Sequence, residues 1–165
     1  MFTIILATKI TKIFKLIKNM KIIRRENLSA TDVDLYNSTV EFRQKYLWQK
    51  DGSSSLEYKE DDKNMVFYLA FDIVTNNLEG MVGYDTKTNR LRQLVIAPKC
   101  QGKGIGKILV QNVKNEAKQH LKKKLIVHAW KDSVTFYLKQ GFNLIENPYI
   151  SKGVWCQKME LNFVD

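Results

Sequence analysis

Few residues in this chain can build metal or disulfide centres. Among its 165 residues there are two cysteines, Cys100 and Cys156, and two histidines, His120 and His128. Their spacing fits no metal-ligand motif, so no metal is expected, and two cysteines make no disulfide framework. The expectation is a reduced intracellular compartment, the cytoplasm. A secretory signal is lacking too: Ile4-Ile5-Leu6 precedes the first charges, where a signal would place them after. The sequon Asn37-Ser38-Thr39 is therefore read as chance. The first apolar stretch is too short and too charged to span a bilayer. No internal repeat and no nucleic-acid-binding motif is present, and the aromatic residues read as core positions rather than a stacking platform. Two common phosphate loops are also missing. Gly106-Lys107 is followed by Ile108 and not by the Ser or Thr of a Walker A loop. The dinucleotide pattern G-x-G-x-x-G fails because the third glycine comes one residue early.

What is present fits one globular domain of ordinary size. Hydrophobic residues make up 44% of the chain, enough for a proper core. Charge is segregated. Residues 1–25 hold seven basic residues and no acid, residues 26–86 are net acidic, and residues 87–165 are strongly basic. The basic half suits an anionic ligand. The acidic half could draw a cationic amine by its field, or be a solvated surface with no steering role. Lys9, Lys12, Lys15, Lys18 and Lys21 alternate with apolar residues as in a basic amphipathic helix. Residues 1–19 are read as an N-terminal extension, with the domain proper at residues 20–165. An organelle presequence or a membrane-surface helix are the alternatives.

The periodicities predict a strand over Lys21–Arg25. Ser29 or Thr31 caps a helical stretch with Asp32 and Asp34 in its first turn, helical periodicity runs over Leu35–Trp48 in one piece or two, and a polar loop over Asp51–Asn64 follows. Strands follow at Val66–Ile73, Met81–Thr86 and Leu91–Ile96. A main helix runs from Gly104 to His120 with Ile105, Ile108, Leu109, Val113 and Ala117 on its inner face. Lys124–Ala129 is a strand, Asp132 caps the next helix, and Phe142–Ile145 and Val154–Leu161 close the chain. This order predicts an α/β (α+β) fold with a mixed, mostly antiparallel central sheet flanked by helices.

The chemistry concentrates in Gln101-Gly102-Lys103-Gly104-Ile105-Gly106, between the strand ending at Ile96 and the main helix. Strand, glycine-rich turn and helix N-terminus together make an anion cradle, which predicts a phosphate-bearing ligand. Q-G-x-G-x-G after a strand resembles the acyl-CoA loop of the GNAT superfamily of N-acetyltransferases. Residues Val127 to Phe142, with Phe136-Tyr137-Leu138-Lys139-Gln140-Gly141-Phe142, resemble that superfamily's second signature, one helix and one strand later. The resemblance covers roughly residues 64–161 and points to a bacterial-type branch.

The resemblance implies acetyl-CoA as cofactor, a small-molecule or peptide amine as acceptor, and no nucleic-acid partner. Dimers are common in the superfamily; membrane contact by the N-terminal helix is not favoured. It assigns Gln101 to Gly106 to the pyrophosphate, and the backbone of Leu94, Val95 and Ile96 to the pantetheine arm and thioester. It assigns Tyr137 to protonation of the departing thiolate. Asp132 stands where the family commonly has Asn near the cofactor, and an ionised Asp cannot donate. The family's usual strand carboxylate is missing, since nothing acidic lies between Asp85 and Glu116. His128 is the substitute base, with a structural imidazole as the equal alternative. Ser151 and Cys156 fall where the branch carries a Glu and a His near the acceptor.

Overall fold

A computed structural model describes residues 19–47 and 62–163. The expectations for residues 1–18 and for most of the polar loop before Asn64 lie outside the described residues. The element order is β1 (Met20–Glu26), α1 (Leu28–Thr31), α2 (Val33–Tyr46), β2 (Met65–Asp72), β3 (Leu78–Asp85), β4 (Arg90–Ile96), α3 (Ile105–Gln119), β5 (Lys124–Trp130), α4 (Val134–Lys139), β6 (Asn143–Leu144), β7 (Tyr149–Ser151) and β8 (Val154–Asn162). Short 3₁₀ turns occupy Pro98–Cys100 and Lys131–Ser133. The strands form one sheet ordered β1-β2-β3-β4-β5-β8-β6, with β7 paired to β8. Only β4 and β5 run parallel; the mixed, mostly antiparallel fold is as predicted.

The middle of the sheet is covered on both faces. Met65 to Ala70 are all buried, as a strand with helices above and below requires. The Tyr68 hydroxyl donates to Glu116 of α3, whereas the Arg43 guanidinium of α2 lies 5.5 Å from the centre of the Phe67 ring. Neighbouring strand residues point to opposite faces, so α2 and α3 sandwich the sheet. Ile105, Leu109, Val113 and Ala117 are buried as predicted. Ile108 is only half-buried, and Val110 and Glu116 turn inward with them. Glu116 is tolerated there because Arg24, Tyr68 and His120 all bond its carboxylate, which holds its pKa down at about 2, the Arg24 bond first among the causes. His120 is thus partnered although half-exposed.

Caps differ from the expectation. The Asp32 carboxylate, rather than Ser29 or Thr31, accepts the Leu35 N–H at 3.0 Å and starts α2. Ser29 and Thr31 sit instead in the one-turn α1. Asp132 does not cap α4 either. It lies inside the preceding 3₁₀ turn, Ser133 holds the cap position, and no side chain makes the capping bond. The strand β7 carries no periodic signal in three residues and was not foreseen.

One irregularity positions everything that follows. Met81 faces Val95, but Gly83 faces Arg92, so Gln93 and Leu94 stand opposite the single residue Val82. Gln93 has φ 54. This bulge bends β4. On its other side β4 pairs with β5 only at Arg90–Ile126 and Leu91–Val127. Beyond Leu91 the two strands part and leave a gap.

Candidate active site

The gap between β4 and β5 is a cleft of about 360 Å³. Its lining joins Arg90 to Leu94 of β4, Val127 to Trp130 of β5, Tyr137 of α4, and Tyr149, Ser151, Lys152, Val154 and Cys156 around β7 and β8. The edge of β4 that looks into it has no strand partner beyond Leu91. Such an edge can bond an extended amide chain.

The glycine loop stands at the end of β4. Its entrance is pinned to β3: the Ala97 N–H donates to the Glu79 carbonyl at 2.9 Å, and Lys99 pairs with the buried Glu79 carboxylate at 2.7 Å. The Cys100 thiol lies 3.5 Å from that carboxylate, and burial pushes its pKa up. The Gln101 amide donates to the Ile96 carbonyl at 3.0 Å, so this side chain braces the loop and occupies one of the predicted strand acceptors. Lys103 likewise folds back on the Lys99 carbonyl. Gly104 is the N-cap of α3 with φ 88, a conformation that disfavours any side chain. No side chain caps α3, so the first-turn N–H groups of Ile105, Gly106 and Lys107 have no acceptor inside the helix. Gly106 packs against the Phe136 ring of α4, where a Cβ would lie at 3.4 Å, a contact distance. These features fit a pyrophosphate with an extended arm running along β4.

Tyr137 is buried, its ring packed edge-on to Phe136 and Phe142 with centroids 5.2 and 5.5 Å away. Its hydroxyl lines the cleft side of α4 with no hydrogen-bond partner among the described residues. Burial raises its pKa well above that of a free phenol, so the group is protonated at neutral pH. His128 shares a hydrogen bond through Nδ1 with the Tyr149 hydroxyl, the rings standing nearly perpendicular. Its pKa is pushed down to about 4, first by desolvation and then by the positive fields of Arg90 and Lys158. The ring is therefore neutral at physiological pH. Asp132 is exposed and lies outside the cleft lining.

Three features of the site escaped sequence reasoning. The first is a buried network: Arg43 Nη1 pairs with the Asp62 carboxylate at 2.8 Å and donates to the Gln93 amide oxygen at 2.5 Å, and the Tyr36 hydroxyl donates to Asp62 at 3.0 Å. It holds the β4 bulge from behind. The second is Arg90, whose guanidinium lines the cleft. The third is Tyr149. Charge alternation at Arg90 and Arg92 was a visible hint; nothing in the sequence ties Asp62 or Tyr149 to β4.

The acetyltransferase (GNAT) domain model matches residues 33–163. The chain belongs to the GNAT acetyltransferase family. Members of that family use acetyl-CoA as the acetyl donor. Solved GNAT-fold structures resemble it over nearly their whole length. An acyl-CoA N-acyltransferase from Pseudomonas aeruginosa superposes with TM-score 0.71 at 13% identity, covering 86% of this chain and 99% of that one. Escherichia coli ElaA gives TM-score 0.73 at 12% identity, covering 87% and 99%. A GNAT family acetyltransferase from Elizabethkingia anophelis, solved with acetyl-CoA bound, gives TM-score 0.58 at 21% identity, covering 88% and 99%. At these identities the likeness is one of fold. No curated protein sequence matches the chain. Among the described residues no helix is long and apolar enough to cross a membrane, and no cluster of His, Cys, Asp or Glu is arranged to hold a metal.

Proposed function

We propose that this GNAT protein transfers an acetyl group from acetyl-CoA to the primary amine of a small molecule or peptide, by direct attack while both substrates are bound. The observation that carries this reading is the Tyr137 hydroxyl, unpartnered among the described residues, in the same cleft as the open β4 edge, whose strand leads into the glycine loop.

Acetyl-CoA would supply the activated thioester and its leaving thiolate. The loop from Gln101 through Gly102, Lys103, Gly104 and Ile105 to Gly106 holds the pyrophosphate through backbone N–H groups and the start of α3. Leu94, Val95 and Ile96 offer backbone groups to the pantetheine arm. His128 takes the amine proton on Nε2, which requires Nδ1–H to donate to the Tyr149 oxygen. Tyr137 Oη–H delivers a proton to the departing sulfur, a transfer between groups of similar acidity in water. Asp132 has no part in this scheme.

A second reading is a catalytically weak acyl-CoA-binding or scaffold protein. It draws on the depressed basicity of His128 and the absence of a carboxylate along β4. Calorimetry with acetyl-CoA, followed by thiol release with an amine panel, separates the two. Binding with turnover that collapses in Tyr137→Phe supports the transferase. Binding without turnover across the panel supports the second reading, and no binding removes both.

A further inference from the structure

The acceptor half of the cleft has an uneven charge lining. Among the described residues it presents Arg90, Arg92 and Lys152 and not one carboxylate. The sequence left open a cationic amine drawn by the acidic half of the chain; the described part of the cleft lining favours an anion instead. Arg90 stands out within this set. Its Nε is closed off from solvent with no hydrogen-bond partner among the described residues, whereas the unpartnered Tyr137 hydroxyl belongs to the α4 side of the cleft. A desolvated guanidinium donor left unmade costs free energy, and native proteins rarely keep one without a reason. Arg92 is turned toward Asp85 at 4.0 Å, and Lys158, on the strand opposite His128, pairs with Glu146 at 2.5 Å. Arg90 thus holds the donor still to be satisfied, on the sheet face it shares with His128 and Tyr149.

We propose that the acceptor is an amine carrying a carboxylate, of amino-acid type, and that Arg90 binds this carboxylate. The inference rests on the transferase reading above. A guanidinium presents a planar fork that matches one carboxylate by two parallel bonds. A single fork suits a singly charged group better than a phosphate dianion. The same contact has a consequence for the base. Arg90 is the foremost of the charges depressing His128; Lys158 and Arg92 act with it and Glu146 against it, with Tyr149 bonded to the ring. An anion seated on Arg90 offsets that field and returns basicity to His128 when an acceptor is bound.

The test compares the common L-amino acids with their own carboxamides as acceptors, reading thiol release from acetyl-CoA, with acetyl-CoA affinity measured separately by calorimetry. The best acid should exceed its amide by about 100-fold in kcat/KM, as loss of one buried charged partner does. Arg90→Met should bring that ratio close to one, mainly through KM, with acetyl-CoA affinity kept. Arg90→Lys, which keeps the charge but loses the fork, should fall between and guards against a folding defect in the first variant. Amides or decarboxylated amines used as well as the acids overturn the carboxylate site and leave acetyl transfer standing. If neither class is turned over, binding to the CoA-loaded protein decides: acids bound in preference to amides keep the Arg90 site while removing transfer, and equal binding overturns both.

Discussion

The glycine loop and the cleft are built from different parts of the chain's chemistry. On the proposed cofactor side, the loop from Gln101 to Gly106 and the first turn of α3 offer backbone N–H groups, while the Gln101 and Lys103 side chains bond the turn's own carbonyls. On the proposed acceptor side, the groups that line the cleft are side chains: Arg90 from β4, His128 from β5, Tyr149 from β7, and behind them Arg43 and Asp62. A backbone site needs glycine where the chain turns left-handed or packs closely, so its spacing is fixed. A side-chain site needs only strands that lie next to each other, so its residues can change while the fold and cofactor stay. On the proposed reading, that difference lets a single scaffold keep one donor and vary its acceptor.

Four measurements would break or sharpen this contrast. The largest effect is expected at the support of the acceptor side. Arg43→Met leaves the buried Asp62 carboxylate uncompensated and should destabilise folding by about 3–5 kcal/mol in chemical denaturation. A loss within experimental error would mean that the network does not hold the β4 bulge.

Tyr137→Phe stands on the border of the two sides. It should lower kcat by about 10²- to 10³-fold, as removal of a general acid does, with acetyl-CoA affinity unchanged. Unaltered turnover would take Tyr137 out of the mechanism.

Gly104→Asp addresses the cofactor side alone. A side chain at φ 88 is strained, and an added negative charge at the start of α3 opposes a phosphate. Acetyl-CoA affinity should fall by about 30- to 100-fold in calorimetry, with the preference among acceptors preserved. A shift in that preference would show that the two sides are not separable.

The smallest effect is in pH. His128 has its pKa lowered on folding from about 6.5 to about 4. Between these values the unfolded chain binds the proton and the folded one does not, so this group makes stability fall as pH drops from 6.5 to 4. His128→Gln should flatten the denaturation midpoint in that window. Glu116, held at about 2, acts in a lower one, from 4.5 downward. A wild-type slope unchanged by His128→Gln would mean that the ring is not desolvated by its neighbours.

Much of the fold could be read from local pattern. The strands β2 to β5 and the helix α3 fall within a few residues of their predicted limits, because an apolar run or a helical stripe is a property of neighbours in sequence. Errors arose where a short polar residue had a choice of roles. Asp32 took the cap predicted for Ser29 or Thr31, and Asp132 lost its predicted cap to the 3₁₀ turn around it. Glu116 reads as a break in the inner face of α3 until Arg24 and Tyr68 arrive from β1 and β2.

The sequence by itself determined the family and the glycine-rich turn between β4 and α3, because such a turn is a local device whose chemistry resides in the backbone. Tertiary structure alone decided the acceptor side. The bulge at Gln93 opens the gap between β4 and β5, and the pairing of β4, β5, β8 and β7 sets Arg90, His128 and Tyr149 on one face. Asp62, more than thirty residues away in the chain, is carried behind it. Long-range strand pairing creates such a site, and no window of sequence contains it.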